Sequence, residues 1–98
     1  MRILIAAGVA VAALVLPSAS SAAVRDCDRA VDFNLHISSA RNMTCRAAAK
    51  EQRSYKGSIK RSFDTPGGFH CHRVSGTRLG GQWRCVKHSR AYRFEFGD

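Results

Sequence analysis

The sequence predicts an α+β fold: one helix packed on a small antiparallel sheet, in the order β-α-β-β-β, tied by two disulfides. Three observations point to it. Apolar and polar residues alternate from Val31 to Ile37, the stretch CRAAAKEQRSYK is built of helix-forming residues, and between Phe69 and Phe96 aromatic residues and cysteines recur at every second position in three segments. Period two marks a strand with one buried face, and a Gly- and Pro-free run of Ala, Lys, Glu, Gln and Arg marks a helix.

Before these elements the chain opens MRILIAAGVAVAALVLPSASSAAV. One positive charge at Arg2, an apolar run from Ile3 to Leu16 and small residues after Pro17 have the layout of a secretory signal peptide. The run is 14 residues long, short of the ~20 that a membrane-spanning helix needs. Cleavage after Ala22 or Ala23 satisfies the small-residue requirement and divides the chain into a leader, 1–22, and a single domain, 23–98. No cysteine stands at the junction to take a lipid. The expected location is therefore secreted or periplasmic, with no transmembrane segment after processing.

Removing 22 of the 98 residues leaves 76; Arg2 goes with the leader, so 15 Lys plus Arg face 7 Asp plus Glu, a net charge of +8. A domain below ~80 residues buries little apolar surface and usually adds disulfides or a metal. Cys27, Cys45, Cys71 and Cys85 supply that support, and in an exported chain an even cysteine count favours disulfides. No C-x-x-C or C-x-x-x-x-C spacing provides the ligand pair of a zinc knuckle.

The first strand is expected over 31–37. Asn42 or Thr44 then caps a helix that Gly57 closes; on it Cys45, Ala48, Ala49, Gln52 and Tyr55 gather on one side, and Arg46, Lys50 and Arg53 form a stripe on another. GSIKRSFDTPGG, residues 57–68, reads as a connecting loop. An antiparallel meander follows, with strands at 69–74, 82–87 and 91–96, joined by a turn through SGTRLGG and a tight turn at His88-Ser89. If the first turn centres on Arg78 and the second between His88 and Ser89, Cys71 stands opposite Cys85, Arg73 opposite Trp83, Cys85 opposite Tyr92 and Trp83 opposite Phe94. One face then collects Phe69, Cys71, Trp83, Cys85, Tyr92, Phe94 and Phe96, the only strongly aromatic surface available, which makes it the core. His70, His72, Val74, Arg84, Val86, Ala91, Arg93 and Glu95 take the other face, so the histidines flanking Cys71 point away from it.

Four cysteines allow three pairings. Cys45–Cys71 with Cys27–Cys85 is preferred because it ties the alanine-rich face of the helix to the sheet; Cys27–Cys45 with Cys71–Cys85 is the alternative. The succession Cys45-x-x-Ala48, Gly68-Phe69-x-Cys71, Trp83-x-Cys85 and Arg90-Ala91-x-Arg93-Phe94 resembles a pattern in small, cysteine-stapled secreted bacterial proteins, many of them actinobacterial, that carry no assigned activity. What the resemblance implies is a shared α+β scaffold and nothing catalytic.

Charge bears most directly on function. Arg46, Lys50, Arg53, Lys60, Arg61, Arg84 and Arg93 put positive potential on more than one side, fit for an anionic polymer or a cell envelope. The aromatic residues are needed inside and no RNA-binding signature occurs, so sequence-specific nucleic-acid binding is not expected. His36, His70, His72 and His88 would serve an alternative, a small secreted ribonuclease-like enzyme using one histidine as base and another as acid. His70, His72 and His88 could also meet a zinc or copper ion, but nothing in the spacing assures a third ligand, so no metal or cofactor is expected. A third reading is a hydrolase inhibitor or antimicrobial protein binding an unknown partner through the turn at 75–81, with Arg78 and Leu79 at its tip. There is no nucleophile elbow, phosphate-cradling glycine loop or H-E-x-x-H motif, and Glu51 and Glu95 are the only glutamates. The expectation is a monomeric, non-enzymatic binding or envelope-associated module.

Overall fold

The structure, a computed structural model, describes residues 23–97, and the leader expected over 1–22 lies outside them. Its elements are β1 (Val24–Asp32), β2 (Leu35–Arg41), α1 (Cys45–Ser54), β3 (Ser62–Asp64), β4 (His70–Thr77), β5 (Gly80–Lys87) and β6 (Arg90–Gly97). All six strands join one antiparallel sheet in the order β1-β2-β6-β5-β4-β3. The expected β-α-β-β-β α+β arrangement is thus corrected: 57% of the described residues are strand and 13% helix, and two strands precede the helix.

The N-terminal half departs most from expectation. What reads as one alternating strand over 31–37 is the apex of a hairpin, with Phe33 and Asn34 in its turn. The Asn34 backbone N–H donates to the Asp32 carboxylate, 3.2 Å, the local side-chain bond that favours Asp and Asn at turns. β1 follows no clean alternation because it carries two bulges against β2, between Asp26 and Arg29 and between Ala30 and Asp32. Each extra residue reverses which side chains face inward. The connection expected over 57–68 also contains β3, three residues paired with His70–His72 of β4.

The meander matches its expected register closely. Cys71 lies opposite Cys85, Arg73 opposite Trp83, Cys85 opposite Tyr92 and Trp83 opposite Phe94. Beyond Arg73 a bulge at Val74 shifts the pairing, so the turn falls at Arg78-Leu79 rather than centring on Arg78. Glycine is required here: Gly76 has φ +89°, and a Cβ on Gly81 would collide with the Ser75 carbonyl. The turn at 88–89 lacks glycine, and His88 itself takes φ +54°.

Phe69, Cys71, Trp83, Cys85, Tyr92 and Phe94 are buried, with Phe96 packed at the margin, and β2 adds Leu35, Ile37 and Ala40. Trp83 and Phe94 stack with centroids 5.5 Å apart. Thr44 caps α1 by accepting the Ala47 N–H, 3.0 Å, and the helix lays Ala48, Ala49 and Gln52 on the core, over β1 and β2. Ten residues of helix cannot roof six strands. The chain after it covers the rest: Tyr55 stacks on Phe63 at 4.3 Å, and the Trp83 indole N–H donates to the Lys60 carbonyl, 2.8 Å. Glu51 accepts the Gly67 N–H and thereby ties the 65–68 turn to the helix. The Tyr92 hydroxyl donates to Gln52 Oε1, 2.9 Å; burial, and secondarily the Glu51 carboxylate, push its phenol well above the usual tyrosine range.

The disulfides are Cys27–Cys45 and Cys71–Cys85, with no free cysteine. This corrects the preferred pairing in favour of the alternative. Because α1 lies over β1 and β2, Cys45 at its first residue faces the bulged part of β1, while Cys71 already has Cys85 directly across the ladder on the same face.

Candidate functional site

One face of the sheet is covered by α1 and the chain that follows it. The other is open, and alternation places on it His36, Ser39 and Arg41 of β2, Ala91, Arg93 and Glu95 of β6, Gln82, Arg84 and Val86 of β5, and His70 and His72 of β4. The basic residues expected to meet a polyanion are therefore divided between two sides. Arg46, Lys50 and Arg53 are exposed on α1, and Lys60 and Arg61 are exposed beyond its end, while Arg84 and Arg93 lie on the open sheet face.

The register joins Arg84 and Arg93. They are direct cross-strand partners, in a row that runs Ser62, His72, Arg84, Arg93, Ser39 from β3 to β2. Side chains so opposed stand roughly 5 Å apart at Cβ, and two like charges there repel. No carboxylate relieves them: among the described residues the ion pairs are His36–Glu95, 3.4 Å, and His70–Asp64, 2.6 Å, at other corners of the face. Arg41 completes the cluster. It stands opposite Ala91, two residues from Ser39 on the same strand, and its Nε is enclosed without a hydrogen-bond partner. With Ser39 these three arginines line a hollow of about 190 Å³, whose room comes partly from the small side chain of Ala91. An unpartnered guanidinium nitrogen in a cluster of cations suits an incoming oxyanion, since guanidinium forks match carboxylate, sulfate and phosphate oxygens two at a time.

The alternation that marks the first strand runs only from Val31 to Ile37 and stops short of Arg41. Extending LHISSAR as a strand with one extra residue at Ser38, where β2 bulges against β6, would have put Arg41 on the face of Arg93.

The histidines do not converge. His70 is held by Asp64 on β3, His36 by Glu95, and His88 sits in the turn at the far end. Between His36 on β2 and His70 on β4 lie β6 and β5, a separation of roughly 14 Å at ordinary strand spacing. His36 and His70 therefore do not form a facing acid and base. His70 and His72 are exposed and half-buried while Cys71 between them is fully buried in its disulfide, so the sulfur and the imidazoles occupy opposite faces. Among the described residues no three His, Cys, Asp or Glu side chains are placed to share an ion, and no helix is long and apolar enough to cross a membrane.

No protein-family model, curated protein or solved structure matches the chain. Function is accordingly read from the arrangement of its own residues.

Proposed function

We propose that this chain is an exported, non-enzymatic binding module for anionic polymers of the cell envelope or its surroundings, of the kind found among small cysteine-stapled secreted bacterial proteins, and that it works through Arg41, Arg84 and Arg93. The observation that carries the reading is the direct opposition of Arg84 and Arg93 on an open face, with no carboxylate among the described residues paired to either. Such a pair weakens the sheet when empty and is relieved when an anion bridges it. The net charge of +8 left after the leader adds long-range attraction. Two disulfides suit an oxidising compartment, secreted or periplasmic.

The test is retention of the oxidised domain on immobilised heparin across a salt gradient. Arg84→Gln/Arg93→Gln is expected to elute at clearly lower salt than the helix variant Arg46→Gln/Lys50→Gln/Arg53→Gln, although the latter removes one more charge. In solution the log–log salt slope should become shallower by about 1 for each sheet arginine removed. Equal or greater loss in the helix variant would assign the binding to diffuse charge and overturn the reading.

A further inference from the structure

The open face continues past the arginines to a second, differently built hollow. The turns β1–β2 and β4–β5 meet at the same end of the sheet, because Gly97 pairs with Gly80 on one side and donates its N–H to the Asn34 carbonyl, 3.0 Å, on the other. Both turns carry an apolar residue where nothing structural calls for one: Phe33 is 99% exposed and Leu79 74% exposed. Polar turn residues would serve the backbone equally well. Together they rim a hollow of about 670 Å³.

Its wall on the open face is polar. Glu95 Oε1 lies 3.4 Å from His36 Nε2, and Glu95 Oε2 accepts from Gln82 Nε2, also at 3.4 Å. Both contacts are long, and the three groups keep donors and acceptors to spare. Among the described residues no lysine or arginine lines the hollow, and its one carboxylate is Glu95. In a chain of strongly positive charge, this place does not attract a bare anion. An exposed aromatic face beside a planar amide, a carboxylate and an imidazole is suited instead to a ring with apolar C–H faces and a rim of hydroxyls, the ring lying on Phe33 and its hydroxyls bonding Gln82, Glu95 and His36.

Glu95 and Gln82 are the next same-face positions after Arg93 and Arg84 on β6 and β5, roughly 7 Å further along the strands. We propose that this hollow is a sugar-ring subsite and that the polymer bound by the arginines is an anionic glycan, whose carboxylate, sulfate or phosphate substituents reach Arg84 and Arg93 while a neighbouring ring occupies the hollow. The inference deepens the proposed polyanion function and rests on it for the acidic substituents.

Three probes test it on the full oxidised domain: heparin, a sulfated glycan; inorganic polyphosphate, an anionic polymer without rings; and phosphatidylglycerol vesicles. The variants are Phe33→Ala/Gln82→Ala and Arg84→Gln/Arg93→Gln. Phe33 makes no buried contact, so its loss leaves folding intact. The hollow variant should bind heparin about tenfold more weakly, as expected for loss of a ring-stacking surface, while its polyphosphate affinity stays unchanged; the arginine variant should weaken on both. Unchanged heparin affinity in the hollow variant, or an equal loss on polyphosphate, overturns the sugar subsite. Loss of vesicle binding with heparin binding intact also overturns it, and assigns Phe33 and Leu79 to a bilayer. Arginine variants that bind both polymers normally would instead defeat the polyanion reading, whatever the hollow does.

Discussion

Replacing Cys71 and Cys85 together by alanine should destabilise the protein more than replacing Cys27 and Cys45, although a count of cross-linked residues predicts near equality. The two bridges join residues 14 and 18 apart, and closing loops of those lengths restricts the unfolded chain by about 3 kcal/mol in each case, with a difference of only ~0.2 kcal/mol. Anything larger must come from the folded side. Cys71 and Cys85 are both 0% exposed, among the residues on which Trp83, Tyr92 and Phe94 pack, whereas Cys27 and Cys45 sit half-exposed where α1 meets β1. A sulfur atom is close to a methyl group in size, and removing a buried methyl costs ~0.5–1.5 kcal/mol. The inner pair should therefore lose about 4–6 kcal/mol and the outer pair about 3. A domain of this size has roughly 4–11 kcal/mol of stability, so at the lower end of that range the inner variant stands at or beyond the edge of unfolding at 25 °C while the outer one remains folded. Urea titration followed by Trp83 fluorescence measures both. Midpoint stabilities within ~0.5 kcal/mol of each other, or a larger loss in the outer variant, would refute the claim that core packing separates the bridges.

Three further outcomes follow from the geometry. Arg84→Gln should stabilise the domain by a few tenths of a kcal/mol and up to ~1, seen as a raised urea midpoint in the same variant that loses polyanion affinity; a lowered midpoint would mean that the pair is not repulsive. Because the Tyr92 phenol titrates above its unfolded value of 10.0, the folded state holds its proton longer, so the contribution is intact below pH 10 and declines above it by up to ~1.4 kcal/mol per pH unit. Tyr92→Phe should lose that part of the alkaline decline in a pH series of urea midpoints, at a cost near neutrality of ~1–3 kcal/mol for leaving Gln52 Oε1 unpaired. Thr44→Ala should cost about 1 kcal/mol through the lost helix cap, with Thr44→Asn restoring most of it.

How far such features can be read in advance depended on whether apolar alternation ran unbroken. In β5 and β6 it does, so aligning Trp83 with Phe94 and Cys85 with Tyr92 required only the position of one tight turn. The helix was equally legible, since Ala48, Ala49 and Gln52 recur at helical spacing behind a threonine. β1 was not, because two bulges scramble its inward positions and VRDCDRAVD is mostly charged or small. Phe33 misled for a physical reason: an aromatic residue beside valine and leucine is ordinarily core, and only the turn propensity of Asp32 and Asn34 argued against it. Missing that hairpin shifted the N-terminal half of the topology and hid Arg41, which in turn left the arginine cluster one member short. The cysteine pairing failed on position, since the sequence placed the helix against the sheet without saying which strands lay beneath it.

The bulges in β1 bear on more than register. It is the outermost strand, nine residues long, and its outer backbone groups would ordinarily invite another molecule's strand to zip on. Two kinks and the charges of Arg25, Asp26, Asp28, Arg29 and Asp32 deny any straight segment long enough to nucleate that addition. At the opposite border β3 is only three residues long. A molecule so rich in sheet is thereby guarded at both borders against hardening into fibrils at high local density.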